Sequence, residues 1–265
     1  RHGSLMTSQQ PITTEPAPAW RGEELQDLHR RNDKADKVKA MFGAIARRYD
    51  LNNRVHSLWR DQAWRRHAVR RARVGAGDHA LDVACGTGDL THALVRGGAE
   101  RVVGLDFTPE MLDLARVKRD RLAEDRSGRV EYIEGDAQAL PFNDASFDVL
   151  TIAFGIRNVQ RPEVAVGEFA RVLRPGGRLV ILEFDRPAFP PMRWFNDFYA
   201  GWVMPRTATL ISGDTSGAYR YLPKSVGSFM PRRAMLELIG GAGFIEAKAD
   251  TLTLGICACY HAVRG

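Results

Sequence analysis

The stretch Leu81-Asp82-Val83-Ala84-Cys85-Gly86-Thr87-Gly88-Asp89-Leu90 decides how this 265-residue chain is read. An apolar run passes straight into a glycine turn and then into residues at helical spacing, the pattern of a buried strand handing over to a helix. Gly86 and Gly88 permit a tight turn and let the backbone approach a ligand closely. The next apolar run, Arg101-Val102-Val103-Gly104-Leu105-Asp106, ends on an acid, with Phe107 beside it. A carboxylate there is placed to accept both hydroxyls of a ribose. Gly86, Gly88 and Asp106 together predict a nucleoside pocket.

What the turn lacks narrows the ligand. A dinucleotide fingerprint carries a third glycine where Thr91 stands, and it uses the helix N-terminus to neutralise a pyrophosphate. Here Asp82 precedes the turn and Asp89 follows it, a pair that repels phosphate and suits a cation. S-adenosylmethionine (SAM) has that chemistry: adenine and ribose without phosphate, a sulfonium, and an ammonium for a carboxylate to hold.

Working outward, strand-like runs at His79 to Ala84, Arg101 to Asp106, Val130 to Glu134, Phe147 to Phe154 and Arg178 to Phe184 alternate with helical segments at Leu90 to Val95, Pro109 to Glu124 and Pro162 to Leu173. Such alternation predicts a parallel sheet with crossover helices. Pro175-Gly176-Gly177 supplies the turn into the fifth strand. A helix near Arg232 to Ile239 and two strands, Phe244 to Ala249 and Gly255 to Val263, close the chain. Ahead of the sheet, Val38, Met41, Phe42, Ile45, Ala46 and Tyr49 share one face of a helix over Lys37 to Tyr49, and a second helix covers Asp61 to Arg73. The expected organisation is a single domain over 32–265, with a helical cap at 32–77 and an aromatic-rich insertion at 186–230. Residues 1–31 read as an expression remnant ahead of Met6 followed by a disordered leader, rich in Pro, Thr and Gln from Met6 to about Trp20.

Hydrophobic residues make up 44% of the chain, enough for a substantial core. Cys85, Cys257 and Cys259 sit inside apolar runs, which favours a reduced, cytoplasmic protein over a disulfide scaffold. With no histidine seen near them, Cys257 and Cys259 read as packing residues, and no metal site is expected. No stretch approaches the roughly 18 to 20 apolar residues that span a bilayer. The net charge of +6 is concentrated in pairs such as Arg47-Arg48, Arg65-Arg66 and Arg70-Arg71, with Trp59 and Trp64 among them. Three partners fit this pattern: water along a solvated helix face, nucleic acid, or an acidic membrane surface on which the protein rests. Self-association stays open.

Further motifs carry a closer resemblance. Asp-x-x-x-Gly-x-Gly at Asp82 resembles the first motif of class I SAM-dependent methyltransferases. Met41-Phe42-x-x-Ile45-Ala46-x-x-Tyr49-Asp50-x-x-Asn53, Gly135-Asp136-Ala137-x-x-Leu140-Pro141-Phe142, Phe154-Gly155-Ile156-Arg157-Asn158-Val159, Leu182-Glu183-Phe184 and Tyr219-Arg220-Tyr221-Leu222-Pro223-x-Ser225 are similar to the UbiE/MenG/Coq5 family of quinone methyltransferases. The likeness runs from about Val38 to Val263. It implies a Rossmann-like α/β fold: a mostly parallel seven-stranded sheet with an antiparallel final strand. It also implies SAM as donor, held by Asp82, Gly86, Thr87, Gly88, Asp106, Phe107, Asp136, Ala137 and Ala153. Relatives often carry Ser where Ala153 stands, which leaves only backbone contact there; Cys85 replaces a common Gly.

The activity implied is C-methylation of a polyprenyl quinol, demethylmenaquinol or the 2-methoxy-6-polyprenyl benzoquinol of ubiquinone synthesis. A hydroquinone carbon becomes nucleophilic as its neighbouring hydroxyl loses a proton, so the enzyme must favour the phenolate. Arg157 is the first candidate to stabilise that oxyanion or order a water, because a guanidinium is no base. Asn158, Tyr49, Asp50 and Tyr221 are candidates to orient the ring, and His56 could act as a base if the fold brings it to the pocket. Phe195, Phe198, Tyr199, Trp202 and Met204 read either as a wall for the isoprenoid tail or as an extra core layer. The rival, a nucleic-acid methyltransferase, would carry a Pro-Pro-aromatic run after the fourth strand, where Ala153-Phe154-Gly155-Ile156 stands instead.

Overall fold

A computed structural model describes Trp20, Leu28 and residues 31–212 and 217–265, the side chains of 211 and 212 excepted. Apart from Trp20, Leu28 and residue 31, the expected leader lies outside the described residues.

Two helices come first, α1 (Lys34–Ser57) and α2 (Arg60–Ala72), followed by β1 (His79–Val83), α3 (Asp89–Arg96), β2 (Arg101–Asp106), α4 (Pro109–Arg119), α5 (Glu124–Ser127), β3 (Val130–Glu134) and β4 (Phe147–Ala153). Then come α6 (Pro162–Val172), β5 (Leu173–Phe184), α7 (Pro190–Phe198), α8 (Met204–Ser212), α9 (Ala218–Gly227), α10 (Arg232–Gly241), β6 (Phe244–Leu252) and β7 (Cys257–Arg264). The strands form one seven-stranded sheet in the order β3-β2-β1-β4-β5-β7-β6. β7 runs antiparallel to both neighbours, β5 and β6, and the pairings of β1 to β5 are parallel.

The central strands read as unbroken apolar runs because helices cover both faces. Leu81, Val83, Leu150 and Ile152 pack on one face with Phe169 of α6 and Ile239 of α10. The alternate residues Ala80 and Val149 pack on the other, with Trp64 and Ala68 of α2 and Leu90 and Leu94 of α3. A third cluster, Val38, Met41, Ile45, Ala208, Tyr219 and Tyr221 with Trp20 and Leu28, joins α1 to α8 and α9. The buried cap layer therefore reaches back to Trp20. β1 pairs with β2 on one side and β4 on the other, so chain order reverses between β1 and β4. Open α/β sheets bind ligands in the crevice outside the strand ends at such a reversal.

Boundaries differ from the sequence expectation where tertiary contacts override local pattern. α1 runs on past Tyr49 to Ser57 although its apolar stripe stops, because Asn52 is buried and donates to the Tyr219 hydroxyl at 2.7 Å. The helix ends only where Leu58 and Trp59 take positive φ (51° and 59°). β5 begins at Leu173, ahead of the Pro-Gly-Gly turn, because Leu173 already pairs with Phe147 across an irregular register. The helix expected to reach Glu124 stops at Arg119. The insertion folds into α7, α8 and α9, with a π-helical turn at Tyr199–Val203. Its side chains divide: Met204, Tyr219 and Tyr221 are buried, while Trp194 is 73% exposed and Trp202 54%, with Phe195 and Phe198 also open.

Candidate active site

A cleft of about 740 Å³ opens at the strand ends where the sheet order reverses, and Ala84, Gly86, Asp106, Phe107, Asp136, Ala137, Ala153 and Phe154 line its floor. Tyr49 and Phe42 of α1 and Asn158 of the turn after β4 form the opposite wall.

Three strand ends build the floor. After β1, Ala84 takes a left-handed φ of 50°, and Gly86 follows with φ 55° and nothing within 4 Å of where a Cβ would stand. After β2, the buried Asp106 carboxylate accepts the amides of Gly86 (2.8 Å) and Thr108 (2.9 Å), one on each oxygen. Burial raises its pKa, and these backbone donors oppose the rise. After β4, Phe154 is left-handed too, at φ 59°. Non-glycine residues in that region cost about 1–3 kcal/mol each and persist where surrounding structure holds them. Both edge the cleft. The room above Gly86, the fixed Asp106 oxygens beside it and the Asp136-Ala137 turn fit an adenosine. Asp136 also closes its own turn by accepting the Gln138 amide at 2.9 Å, so its carboxylate has a local job as well as a place in the lining.

Not every expected contact reaches the cleft. Asp82 is buried beneath the turn, where Thr91 and Thr151 donate to its two oxygens at 2.7 and 2.8 Å, and burial raises its pKa to about 6. It braces two elements and offers no oxygen to an ammonium, which corrects the direct role expected of it. Gly88 is required by packing: a Cβ there would collide with the Tyr132 hydroxyl, and the residue starts α3 at φ 84°. Thr87 is 3% exposed; its hydroxyl donates to Asp50 (2.6 Å) and accepts from Lys118 (2.9 Å). Lys118 also pairs with Asp50 and Asp89, each at 2.6 Å, and Arg54 pairs with Asp89 at 3.0 Å. Beyond Gly86, then, the cleft ends against a charged cluster.

The opposite wall is braced from behind by Arg157. This residue is 3% exposed, does not line the cleft, and donates to Glu183 (2.6 Å) and to the Phe154 carbonyl (2.7 Å). Burial raises the Glu183 carboxyl while the Arg157 charge pulls it down. With its charge committed to Glu183, Arg157 is a brace of the Phe154 turn. Tyr221 is also buried away from the cleft; its hydroxyl donates to the Asn158 side-chain oxygen at 3.0 Å. Asn158 and Tyr49 do line the cleft. His56 lies one turn beyond Asn52, beside the Tyr199 hydroxyl at 3.1 Å, and is not among the lining residues.

Two buried groups went unread in the sequence. Glu183 stood in view as an acid closing β5 within a quoted motif; the lesson of Asp106 applied one strand later would have found it. Lys34 carried no local signal. It donates to the carbonyls of Arg157 and Val159 at 2.9 and 2.7 Å, and burial followed by the Arg157 charge lowers its pKa to about 8. The view that no histidine lies near Cys259 is also corrected. His67, Asp250 and Cys259 bring ligand atoms within 4.8 Å of one another, although Asp250 is already held by Arg71 and His67.

The model of the ubiE/COQ5 methyltransferase family matches residues 30–264. A demethylmenaquinone methyltransferase of Thermus thermophilus is 47% identical over 221 residues, 83% of this chain and 98% of that protein. A ubiquinone/menaquinone biosynthesis C-methyltransferase UbiE of Roseobacter denitrificans is 40% identical over 86% of this chain and 90% of its own length. Among solved structures, the [4+2]-cyclase SpnF superposes with a TM-score of 0.64 at 18% identity, over 87% of this chain and 96% of that one, a likeness of fold. The chain belongs to the ubiE/COQ5 methyltransferase family and is a SAM-dependent methyltransferase.

Proposed function

We propose that this enzyme C-methylates a reduced polyprenyl quinone, converting demethylmenaquinol to menaquinol. The observation that carries the reading is the 47% identity, over nearly its whole length, to a relative named for demethylmenaquinone. The benzoquinol of ubiquinone synthesis is the second reading, favoured by the relative whose name covers both pathways.

SAM supplies an electrophilic methyl on its sulfonium. Asp106 is assigned to the ribose hydroxyls, Asp136 and Ala137 to the adenine edge, and the Gly86-Thr87 turn with the Ala153 backbone to the methionine side. Asn158 and Tyr49 face them across the cleft and orient the quinol ring, holding its carbon at reacting distance while the cap excludes water. Burial raises the pKa of Tyr49, so its phenol stays protonated and donates a hydrogen bond. Tyr221 and Arg157 act one layer back, on Asn158 and on the Phe154 turn.

No helix among the described residues is long and apolar enough to cross a membrane. The substrate's tail nevertheless requires contact with lipid, and the exposed Trp194, Phe198 and Trp202, with Arg206 stacked 4.4 Å over Trp202, suit a peripheral approach from the cytoplasmic side. Nucleic acid has no place in this reading.

The test is transfer of labelled methyl from SAM to short-chain demethylmenaquinol and, in parallel, to the methoxy-benzoquinol. Turnover of the first supports the proposal; turnover of the second alone moves the enzyme to the ubiquinone pathway, and turnover of neither sinks both readings. Flotation with anionic liposomes, lost at high salt, checks the membrane contact.

A further inference from the structure

Among the described residues, α2 carries a buried arginine that contacts no acid. Arg65 of α2 is 8% exposed, its Nε has no hydrogen-bond partner, and among the described residues it makes no hydrogen bond or ion pair. The other cations around it are matched, Arg54 and Lys118 to Asp50 and Asp89, and Arg157 to Glu183. The Arg65 Nε is buried without a partner, a costly state for a polar group, while its two terminal nitrogens, which also lack partners, keep access to solvent and so to a ligand.

Its position says which anion is missing. The Arg65 guanidinium carbon stands 5.5 Å from the centre of the Phe154 ring, and Phe154 edges the cleft. Its charge also reaches the far side of the glycine turn. Burial alone would raise Asp89, yet the charges of Arg65, Lys118 and Arg54 hold it at about 2. Tyr49, on the facing wall, feels the same positive charge against its own burial. Arg65 is not itself among the cleft-lining residues; it stands behind Phe154, close enough to the glycine turn for its charge to act on Asp89. Asp82 is near enough to interact but spends both oxygens on threonine hydroxyls. Asp50 and Asp89 are held by Arg54 and Lys118, so none of these carboxylates contacts the Arg65 guanidinium, whose N–H donors remain for an anion from outside the chain. With the adenosine of the donor placed toward Asp106 and Asp136, the amino acid part falls toward the glycine turn, and it carries the donor's one anionic group.

We infer that Arg65 binds the α-carboxylate of the methyl donor, as the residue that fixes the methionine end of the site. The inference rests on the SAM assignment above. A guanidinium presents paired N–H donors that match a carboxylate in two-point fashion, which lysine cannot reproduce.

The experiment measures binding by calorimetry, without quinol, for SAM and for decarboxylated SAM, which keeps the ammonium and lacks only the carboxylate. The wild-type chain should bind SAM about tenfold to a hundredfold more tightly than the decarboxylated form, the range for hydrogen bonds to a charged group. Arg65→Gln should remove that preference by weakening SAM alone, and Arg65→Lys should restore part of it. Equal affinity of the wild-type chain for the two ligands overturns the inference without recourse to any variant. So does an Arg65→Gln chain that weakens both ligands alike, the mark of a structural role, or neither, the mark of a group reserved for the quinol oxyanion. A wild-type chain that bound neither ligand would take down the donor assignment itself and the inference with it.

Discussion

The two walls of the cleft are built by different means. The floor, at the ends of β1, β2 and β4, is held by carboxylates that accept backbone amides: Asp106 those of Gly86 and Thr108, Asp136 that of Gln138. The facing wall is held by side chains distant in sequence. Glu183 fixes Arg157, Lys34 caps the carbonyls of Arg157 and Val159, and Tyr221 holds Asn158. A floor of the first kind is rigid because the strands are. A wall of the second kind is only as firm as its polar network, and it stands where an acceptor rather than the donor must be recognised.

The largest effect should come from removing the tie between the wall and the sheet. Glu183→Ala strands the Arg157 guanidinium in an interior where it is 3% exposed. Breaking a buried pair this way costs about 3–5 kcal/mol, which for a domain of this size lowers the melting temperature by roughly 10 °C. Thermal unfolding checks it. A variant as stable as the wild type would mean that the wall does not depend on the sheet, and the contrast between the two would fail.

Asp106→Ala tests the floor and should act the other way, on the donor more than on the fold. The carboxylate is the anchor proposed for two ribose hydroxyls, each hydrogen bond to a charged group being worth about 1.5–3 kcal/mol. Affinity for SAM should fall roughly a hundredfold or more by calorimetry. Stability should fall less than in Glu183→Ala, since only the two backbone bonds are lost. If SAM affinity survived, Asp106 would be a turn residue and the floor would have been misread.

The same contrast explains what the sequence disclosed. β1 to β4, the turn at Gly86 and the acid at Asp106 were legible because each is a local pattern: apolar period, glycine, acid at a strand end. The Asp136-Ala137 turn was legible for the same reason. Arg157 was legible as a motif, but its partner was not: Glu183 lies 26 residues away, and only packing brings the two together. The same holds of Asp82: its carboxylate was visible, while the hydroxyls of Thr91 and Thr151 that consume it come from α3 and β4. Lys34 and Arg65 could not be distinguished from the many surface cations of a basic chain. What a charge does depends on whether water reaches it, and that is a property of packing.

The smallest effect is the most specific. Burial pushes the Tyr221 phenol up to about 12, so its hydroxyl stays protonated and donates to Asn158 at 3.0 Å, while its ring stacks on Trp20 at 4.8 Å between centroids. Tyr221→Phe keeps the stack and deletes one hydrogen bond, a loss of about 0.5–1.5 kcal/mol. The floor is untouched, so affinity for SAM should stay within about twofold. Asn158, still near the Phe154 carbonyl but at a long 3.3 Å, is freed to rotate its amide. If Asn158 orients the quinol, kcat should fall about threefold to tenfold, as expected for an energy of that size. Equal losses in donor binding and turnover would show that the two walls are one mechanical unit. A loss confined to turnover, with SAM binding intact, would separate them and place acceptor recognition on the wall held together by side chains.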